Sequence, residues 1–264
     1  MNYGIPTLME FPDIEDLAAF CRNHGFSFIE MNMTFPWFQM GSVTAERLRD
    51  LKNKYGIGLT IHLHDQVNPF EFSPEMRRGH LENIQFAMEL ADALDITRLT
   101  MHLIPGTYSS INGKKKYLYE QCKDHYLDLV QAFIRFADKS LDGSSTLICL
   151  ENTGGFLPFQ REAIDLMLQS DHFGLTFDIG HNYKAGGGDE AFILVHDQKL
   201  KHFHIHDCSL KSNHLAFGAA GLDLVRYLKM AESYGCSVVA EVKESSALLQ
   251  SKKYLMDHKL WNNA

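Results

Sequence analysis

The chain has 264 residues, of which 45% are hydrophobic and 22% are charged, and its formal net charge is −8. Its longest basic cluster is Lys114, Lys115 and Lys116, whereas proteins that bind nucleic acid through the phosphates normally present a larger basic face. No apolar run approaches the roughly 20 residues of a membrane span, and the first residues, MNYGIPTLMEFPD, lack the basic and then apolar regions of a signal peptide. We therefore expect a cytoplasmic protein that binds neither nucleic acid nor membrane.

The length matches the usual size of one eight-fold βα barrel, about 250 residues. Two smaller domains would also fit this length, but no Pro/Ser/Gly-rich linker, charge block or low-complexity stretch marks a boundary. We expect a single domain over residues 1–264. An odd number of cysteines without CxxC spacing argues against a disulfide framework or a cysteine zinc site. We expect reduced, core or semi-buried thiols at Cys21, Cys122, Cys149, Cys208 and Cys236.

Strand-like apolar runs alternate with helical segments along the chain. The runs are rich in Ile, Leu, Phe, Val and Thr and cover residues 2–6, 26–31, 57–63, 97–103, 145–151, 173–178, 201–206 and 236–241. Between them, stripes such as Leu81, Ile84, Met88 and Ala91 have helical spacing. Eight such units predict a single-domain (β/α)8 TIM barrel of the α/β class. The alternative, a doubly wound open sheet, often carries a GxGxxG turn after its first strand, and this sequence has none.

Six of these runs end on a residue that can bind a metal ion. In chain order they are His62, His102, Glu151, Asp178, His204 and Glu241. The carboxyl ends of barrel strands meet at one mouth, where TIM-barrel active sites lie. The last four residues would therefore bring three carboxylates and one imidazole to one divalent ion, a set that suits Mn, Mg, Co or Zn. His62 and His102 would complete a second site that shares Glu151, or would contact substrate.

Several neighbouring residues have roles that the pattern leaves open. The longest loops, residues 64–74, 104–116 and 207–221, follow strands, as expected when one barrel face carries function. Within the last of them, we expect Asp207 to anchor the loop or to support the metal ligands from behind. Phe35, Trp37 and Phe38 fit either a wall for a ligand or packing under a loop. Alternate residues of a strand point to the same face, and this alternation does not show which of four inward-facing histidines are ligands. They are His62, His64, His204 and His206.

The six motifs together resemble the superfamily of xylose-isomerase-like barrels, over nearly the whole chain. This superfamily includes sugar isomerases and epimerases, inosose dehydratases and the endonuclease IV DNA-repair enzymes. In its ketose 3-epimerases and hydroxypyruvate isomerases, a Glu-Asp-His-Glu set binds one divalent metal, and the two glutamates also transfer protons. The resemblance implies that this set is Glu151, Asp178, His204 and Glu241, with Glu151 and Glu241 catalytic.

The resemblance to endonuclease IV goes further. His62 followed by Asn68, His102 followed by Pro105-Gly106, the segment Asp178-Ile179-Gly180-His181 and the segment His204-Ile205-His206-Asp207 resemble its metal motifs. The third zinc site of that family uses an Asp two residues before a His, but here Ser212 precedes His214. A serine hydroxyl is a poor ligand for a dication, which argues against a full trinuclear site. His181 and His214 can still contact substrate or a second metal.

Three functions follow from this resemblance. The first is a divalent-metal-dependent isomerase or epimerase of a small sugar or polyol-like substrate, which transfers a proton next to a carbonyl through an enediolate. Dehydratase chemistry is grouped with it because it begins with the same proton abstraction. The second is an endonuclease IV-like metal-dependent phosphodiesterase, and the third is an inactive ligand-binding barrel. The first function is favoured, and its partner would be a small-molecule substrate. A homodimer is also possible, since dimers are common in such a family.

Overall fold

Eight parallel strands close into a barrel at the centre of the molecule, in a computed structural model that describes residues 1–261. The barrel strands are β1 (Tyr3–Pro6), β2 (Phe28–Asn32), β3 (Gly58–His62), β4 (Arg98–His102), β7 (Leu147–Glu151), β8 (Phe173–Asp178), β9 (Leu200–Ile205) and β10 (Ser237–Ala240). Two further strands, β5 (Tyr108–Ile111) and β6 (Lys114–Tyr117), form a separate hairpin. Around the barrel the order is β1-β10-β9-β8-β7-β4-β3-β2. Each predicted run coincides with one barrel strand, and the TIM-barrel prediction is confirmed.

The strand register brings the candidate ligands to one end of this barrel. Parallel pairing aligns His102 with Glu151 on the neighbouring strand, and Asp178 with His204. Three of these residues close their strands, and His204 is followed by a single strand residue. The strands themselves are buried almost throughout, because helices cover the outside of a TIM barrel and side chains fill its inside. The polar strand ends therefore stand together at one mouth of the barrel.

Helices surround the barrel and bury one apolar stripe each. They are α1 (Ile14–Asn23), α2 (Ala45–Tyr55), α3 (Pro74–Ala93), α4 (Leu118–Gln121), α5 (Lys123–Ser140), α6 (Pro158–Met167), α7 (Ile179–Lys184), α8 (Gly188–Val195), α9 (Leu224–Ser233) and α10 (Ser245–Asp257), with 3-10 turns at Pro36–Phe38 and Asp197–Lys199. In α5 the buried stripe is Tyr126, Val130, Phe133 and Ala137. This spacing of three to four residues places the stripe on one helix face.

Residues 104–116, which the sequence analysis treats as a loop, contain most of the β5–β6 hairpin. Asn112 and Gly113 join its strands with φ angles of 52° and 73°. Positive φ at both central residues is the requirement of the tight hairpin turn that Asn-Gly favours. The hairpin strands are largely exposed. The hairpin therefore extends from the face of the barrel that carries the strand ends.

All five cysteines are free thiols. Four are buried, but Cys122 is exposed, contrary to the expectation of a core or semi-buried position. It lies at the junction between α4 and α5, outside the buried stripe of α5. Within residues 1–261, no helix combines the length and the apolar character that a membrane crossing requires.

Candidate metal centre

Glu151, Asp178, His204 and Glu241 converge at the mouth of the barrel. One ligand atom from each lies within 4.8 Å of the others. His204 Nδ1 is 3.1 Å from Glu151 Oε1 and 3.3 Å from Glu241 Oε2. Glu241 follows β10 directly, and its backbone N–H donates to the carbonyl oxygen of Ile205 at 2.9 Å, which continues the strand pairing as far as the site. Metal–ligand bonds of roughly 2.0–2.6 Å fit a cluster of this size.

One oxygen of Glu241 provides a test of whether a cation fits here. Glu241 Oε2 is buried and accepts no well-aligned hydrogen bond within residues 1–261, although His204 Nδ1 lies 3.3 Å away. A buried carboxylate oxygen without a partner is costly, because it has lost its hydration. A divalent cation bound among these four side chains would satisfy that oxygen. The donor set of three carboxylates and one imidazole is one that hard or borderline dications accept.

Neighbouring charges set the protonation of His204, Glu151 and Glu241. Burial alone would lower the pKa of His204, but Glu30, Glu151 and Glu241 outweigh it and raise that pKa well above its ordinary value. Burial would raise the pKa of Glu151, yet the neighbouring His204 and His102 hold it well below the usual range. The pKa of Glu241 is also well below that range, because Lys243 and His204 outweigh the effect of burial. Glu151 and Glu241 are therefore ionised at neutral pH.

Glu30 on β2 is a site residue that the sequence analysis missed. It is 2% exposed, and its Oε2 lies 2.9 Å from His204 Nε2, although without a well-aligned hydrogen bond. Its Oε1 lies 3.2 Å from His202 Nε2 and accepts a hydrogen bond of 3.3 Å from the hydroxyl of Thr100. The signal was a carboxylate inside the apolar run FSFIEMN. It was overlooked because Glu30 stands within its strand instead of at the end.

Comparison with known proteins agrees with this geometry. The model of the xylose isomerase-like TIM barrel family matches residues 18–258. The chain belongs to this family. It is 22% identical to the uncharacterized protein MJ1188 of Methanocaldococcus jannaschii over 274 residues, which cover 98% of this chain and 94% of the relative.

Solved structures of the same fold include two with informative names. A D-tagatose 3-epimerase-like protein is similar with a TM-score of 0.77 and 20% identity, over 98% of this chain and 97% of the other. The IOLI protein with a bound zinc atom is similar with a TM-score of 0.71 and 16% identity, over 99% of this chain and 100% of the other. At these identities the structural likeness shows the shared barrel.

In this member of the family, His62 and His102 share the Glu151 carboxylate with the four-residue cluster. Their Nε2 atoms lie 3.2 and 3.3 Å from Glu151 Oε2, while Oε1 of the same carboxylate faces His204. His62 Nδ1 lies 2.8 Å from the carbonyl oxygen of Leu63 and can donate to it, which leaves Nε2 directed at Glu151. Burial lowers the pKa of His62, but Glu151 raises it to about 9. The pair can therefore bind a second cation or hold Glu151 by hydrogen bonds.

His181 and His214 lie on the other side of Asp178, beside His206. The ring centroids are 5.9 Å apart for His181 and His206, 5.7 Å for His181 and His214, and 4.4 Å for His206 and His214. Ser212 is exposed on the loop surface and does not join them. The structure therefore distinguishes His206 from His64, which strand alternation could not do. His206 is buried beside two other histidines. His64 is only partly buried, and its Nδ1 accepts from the backbone of Gln66.

Asp207 anchors the loop that carries His214. Its carboxylate is fully buried and accepts backbone N–H groups of Cys208, Ala220, Gly221 and Leu222 at 2.8–3.1 Å. This agrees with the loop-anchoring role expected from the sequence.

The aromatic residues after β2 pack against the protein core. Phe38 is 1% exposed, and Phe35 and Trp37 are partly buried against the same apolar cluster. The interpretation as packing under a loop is therefore the one that the structure supports.

Proposed function

We propose that this protein is a divalent-metal-dependent isomerase or epimerase of a small sugar or polyol-like substrate. The observation that carries the proposal is that two carboxylates contact the same nitrogen of His204: the buried Glu151 at the end of β7 and the largely buried Glu241 directly after β10. Two carboxylates at one substrate position are what removal and return of a carbon-bound proton require. The D-tagatose 3-epimerase-like protein of the same fold supports this reaction class.

Glu151, Asp178, His204 and Glu241 would hold the cation. When bound, a divalent metal stabilises the negative charge that develops on a carbonyl oxygen after a neighbouring proton is removed. The zinc atom in the IOLI protein supports metal binding by a barrel of this fold. Manganese, magnesium, cobalt and zinc all suit the donor set.

The proton transfers fall to the two glutamates. Both have pKa values well below their usual range, so both are ionised and able to accept a proton at neutral pH. One carboxylate takes the proton from the carbon next to the carbonyl and later releases it to solvent. The other glutamate takes a proton from solvent and delivers that proton to the enediolate. Asp178 contacts His206, on the side of the four-residue centre away from Glu151 and Glu241. This location fits a role in holding the metal and not in proton transfer.

A small cavity beside the centre suits a polar molecule. Its volume is about 190 Å³, and its lining residues are Thr153, Gly154, His181, Lys184, Ala185 and Asn213. Hydroxyl, amide, imidazole and ammonium groups in one cavity favour a hydroxyl-rich ligand over an apolar one. The lining residue that links this cavity to the centre is His181, whose Nε2 lies 4.0 Å from Asp178 Oδ2.

A second candidate, a metal-dependent phosphodiesterase, is favoured by one observation. His62 and His102 both face Glu151 Oε2, so this carboxylate could bridge two cations as in multinuclear phosphodiesterases. The net charge of −8 opposes it, because duplex DNA binding relies on basic residues that contact phosphates.

Parallel assays of the metal-loaded protein distinguish the isomerase or epimerase from the phosphodiesterase. The first incubates a panel of ketoses and inososes in deuterated water and follows deuterium at the carbon next to the carbonyl. The second incubates a duplex with one abasic site at physiological salt, with and without a chelator. We expect deuterium incorporation and no incision. Chelator-sensitive incision without any exchange would overturn the proposal in favour of the phosphodiesterase.

A further inference from the structure

We propose that the cavity beside the metal centre binds the phosphate group of a phosphorylated sugar substrate. This inference rests on the proposed function and deepens it, because it names the substrate class. The cavity lies where three segments meet, namely the loop between β7 and α6, the end of α7 and the loop after β9. Among the residues that they contribute are Thr153, Gly154, His181, Lys184 and Asn213.

The first donors in this cavity are backbone N–H groups of the loop between β7 and α6. Within residues 1–261, those of Thr153, Gly154 and Gly155 donate no hydrogen bond. Gly155 has a φ of 88°, which side chains rarely allow, and a Cβ added to Gly154 would meet no atom within 4 Å. The N–H groups of this turn therefore border open space. Successive free backbone N–H groups in a turn form concavities that bind anions such as phosphate.

Buried side chains fix both ends of this loop. The Asn152 amide donates to the backbone carbonyl oxygen of Asp178 at 2.8 Å, and its oxygen accepts the Asp178 N–H at 2.9 Å. At the other end, Asp189 Oδ1 accepts the N–H of Phe156 at 2.8 Å. Asn152 and Asp189 are at most 1% exposed. The free N–H groups are thus held in place before a ligand arrives, so binding orders little additional chain.

Two side chains add a positive charge and a hydroxyl group. Lys184 is the last residue of α7, is exposed, and forms no ion pair or hydrogen bond with the residues that the structure describes. The Thr153 hydroxyl has no hydrogen-bond partner in that part of the chain either. A lysine beside free backbone N–H groups is the combination that holds phosphates in P-loops. Three N–H groups, a hydroxyl and an ammonium exceed the roughly four lone-pair sites of a carboxylate, which favours the three acceptor oxygens of a phosphate ester.

One atom among the lining residues requires a donor instead. Asn213 Oδ1 is buried and accepts no hydrogen bond within residues 1–261. A buried acceptor without a partner is costly, and a sugar hydroxyl could donate to it, whereas a fully ionised phosphate oxygen has no proton to donate. The cavity therefore combines donors for an anionic group with an acceptor for a hydroxyl group. This combination matches a phosphorylated sugar better than a bare anion.

Matched sets of substrates test the identity of the anionic group. The metal-loaded protein is incubated in deuterated water with ketoses, with the terminal phosphate esters of the same ketoses, and with the corresponding keto acids that carry a terminal carboxylate. We expect kcat/KM for deuterium exchange to be at least about 10-fold higher for the phosphate esters, because hydrogen bonds to a charged group are the strong ones. Exchange without a preference for the phosphate ester, or with a preference for the carboxylate, would overturn the phosphate site and leave the isomerase function intact.

Variants of the cavity test which residues recognise the phosphate. Lys184→Gln should reduce the preference for the phosphate ester over the free ketose by about 10–100-fold, chiefly through KM, and Thr153→Val should reduce it by a smaller factor. The matched control is Lys229→Gln at an exposed position of α9, which should keep the wild-type preference. Circular dichroism checks that each variant is folded. An unchanged preference in Lys184→Gln would overturn the assignment of this cavity.

Binding of inorganic phosphate separates a failure of this proposal from a failure of the isomerase function, because it needs no turnover. Calorimetric titration compares the metal-loaded wild type, Lys184→Gln and Lys229→Gln. We expect Lys184→Gln to bind phosphate at least about 10-fold more weakly than the other two. Equal affinity in all three, the result if phosphate binds only at the metal, would overturn the phosphate site. If no ketose or ester undergoes exchange while the weaker binding is observed, the isomerase function fails and the phosphate site remains.

Discussion

Glu30 Oε2 lies 2.9 Å from His204 Nε2 beneath the barrel mouth, and both side chains are buried. The contact joins β2 to β9, which are not neighbours in the barrel. Nε2 faces Glu30 without a well-aligned hydrogen bond, and the same ring orientation presents Nδ1 to Glu151 and Glu241. Glu30 therefore acts as a positioning residue that selects the nitrogen which His204 presents to a cation.

Replacing Glu30 with glutamine tests this role. The amide keeps the shape of the side chain but loses the charge that orients His204. Changes of such outer partners typically weaken metal affinity 10–100-fold, and we expect a loss of about that size. Competition with a chelating indicator measures the affinity. The matched control is Glu82→Gln on the exposed face of α3, and equal affinity in both variants would contradict the role of Glu30.

Glu151→Gln and Glu241→Gln should each abolish turnover while leaving the barrel folded. An amide has nearly the same shape as the carboxylate but cannot accept a carbon-bound proton. The readout is deuterium incorporation into the substrate in deuterated water, with metal content measured on the same sample. Exchange that persists in metal-loaded Glu241→Gln would remove Glu241 from the proton-transfer role.

The Asp207 carboxylate should be a major source of stability for residues 208–222. Asp207→Ala removes the acceptor of four backbone N–H groups, and hydrogen bonds to a charged group are each worth roughly 1.5–3 kcal/mol. We expect the free energy of unfolding in urea to fall by at least about 2 kcal/mol. The control, Asp142→Ala at an exposed site, should change it by less than about 0.5 kcal/mol. A similar small change in Asp207→Ala would show that the loop does not depend on this anchor.

The thiols should differ sharply in reactivity. Burial raises the pKa of Cys21 and Cys149 to about 12 and that of Cys208 and Cys236 to about 11. The thiolate is the reactive form, so these four should react slowly with a thiol reagent at pH 8.

Cys122 is exposed and should react at once in the native protein. One fast equivalent, absent in Cys122→Ser, is expected, and the other four should appear on addition of denaturant. Several fast equivalents in the native state would contradict the burial of these cysteines.

The barrel and its strand-end residues could be predicted because both are local patterns in the sequence. Glu151 and Asp178 each end an apolar run. Because the carboxyl ends of barrel strands meet at one mouth, this position alone places both residues there. The β5–β6 hairpin also had a local signal, since Asn112-Gly113 is a strong turn pair. The sequence analysis nevertheless predicts a loop over residues 104–116, because most residues that flank this turn are polar.

Glu30 and His206 could not be assigned from the sequence, for a different reason. Their roles depend on contacts across the barrel or between loops, and no periodicity encodes those contacts. Glu30 meets His204 across the barrel interior at a sequence separation of 174 residues, the difference between positions 30 and 204. His206 joins His181 and His214 only because Gly180 leaves space for its ring.

The central claim is that Glu151, Asp178, His204 and Glu241 hold one divalent ion at the barrel mouth. Anomalous diffraction from crystals loaded with manganese tests it most directly. The account predicts a peak with His204 Nδ1 and an oxygen from each of the three carboxylates at about 2.0–2.6 Å. Manganese-saturated crystals with no peak among these four side chains, or with a peak bound through His204 Nε2, would contradict it.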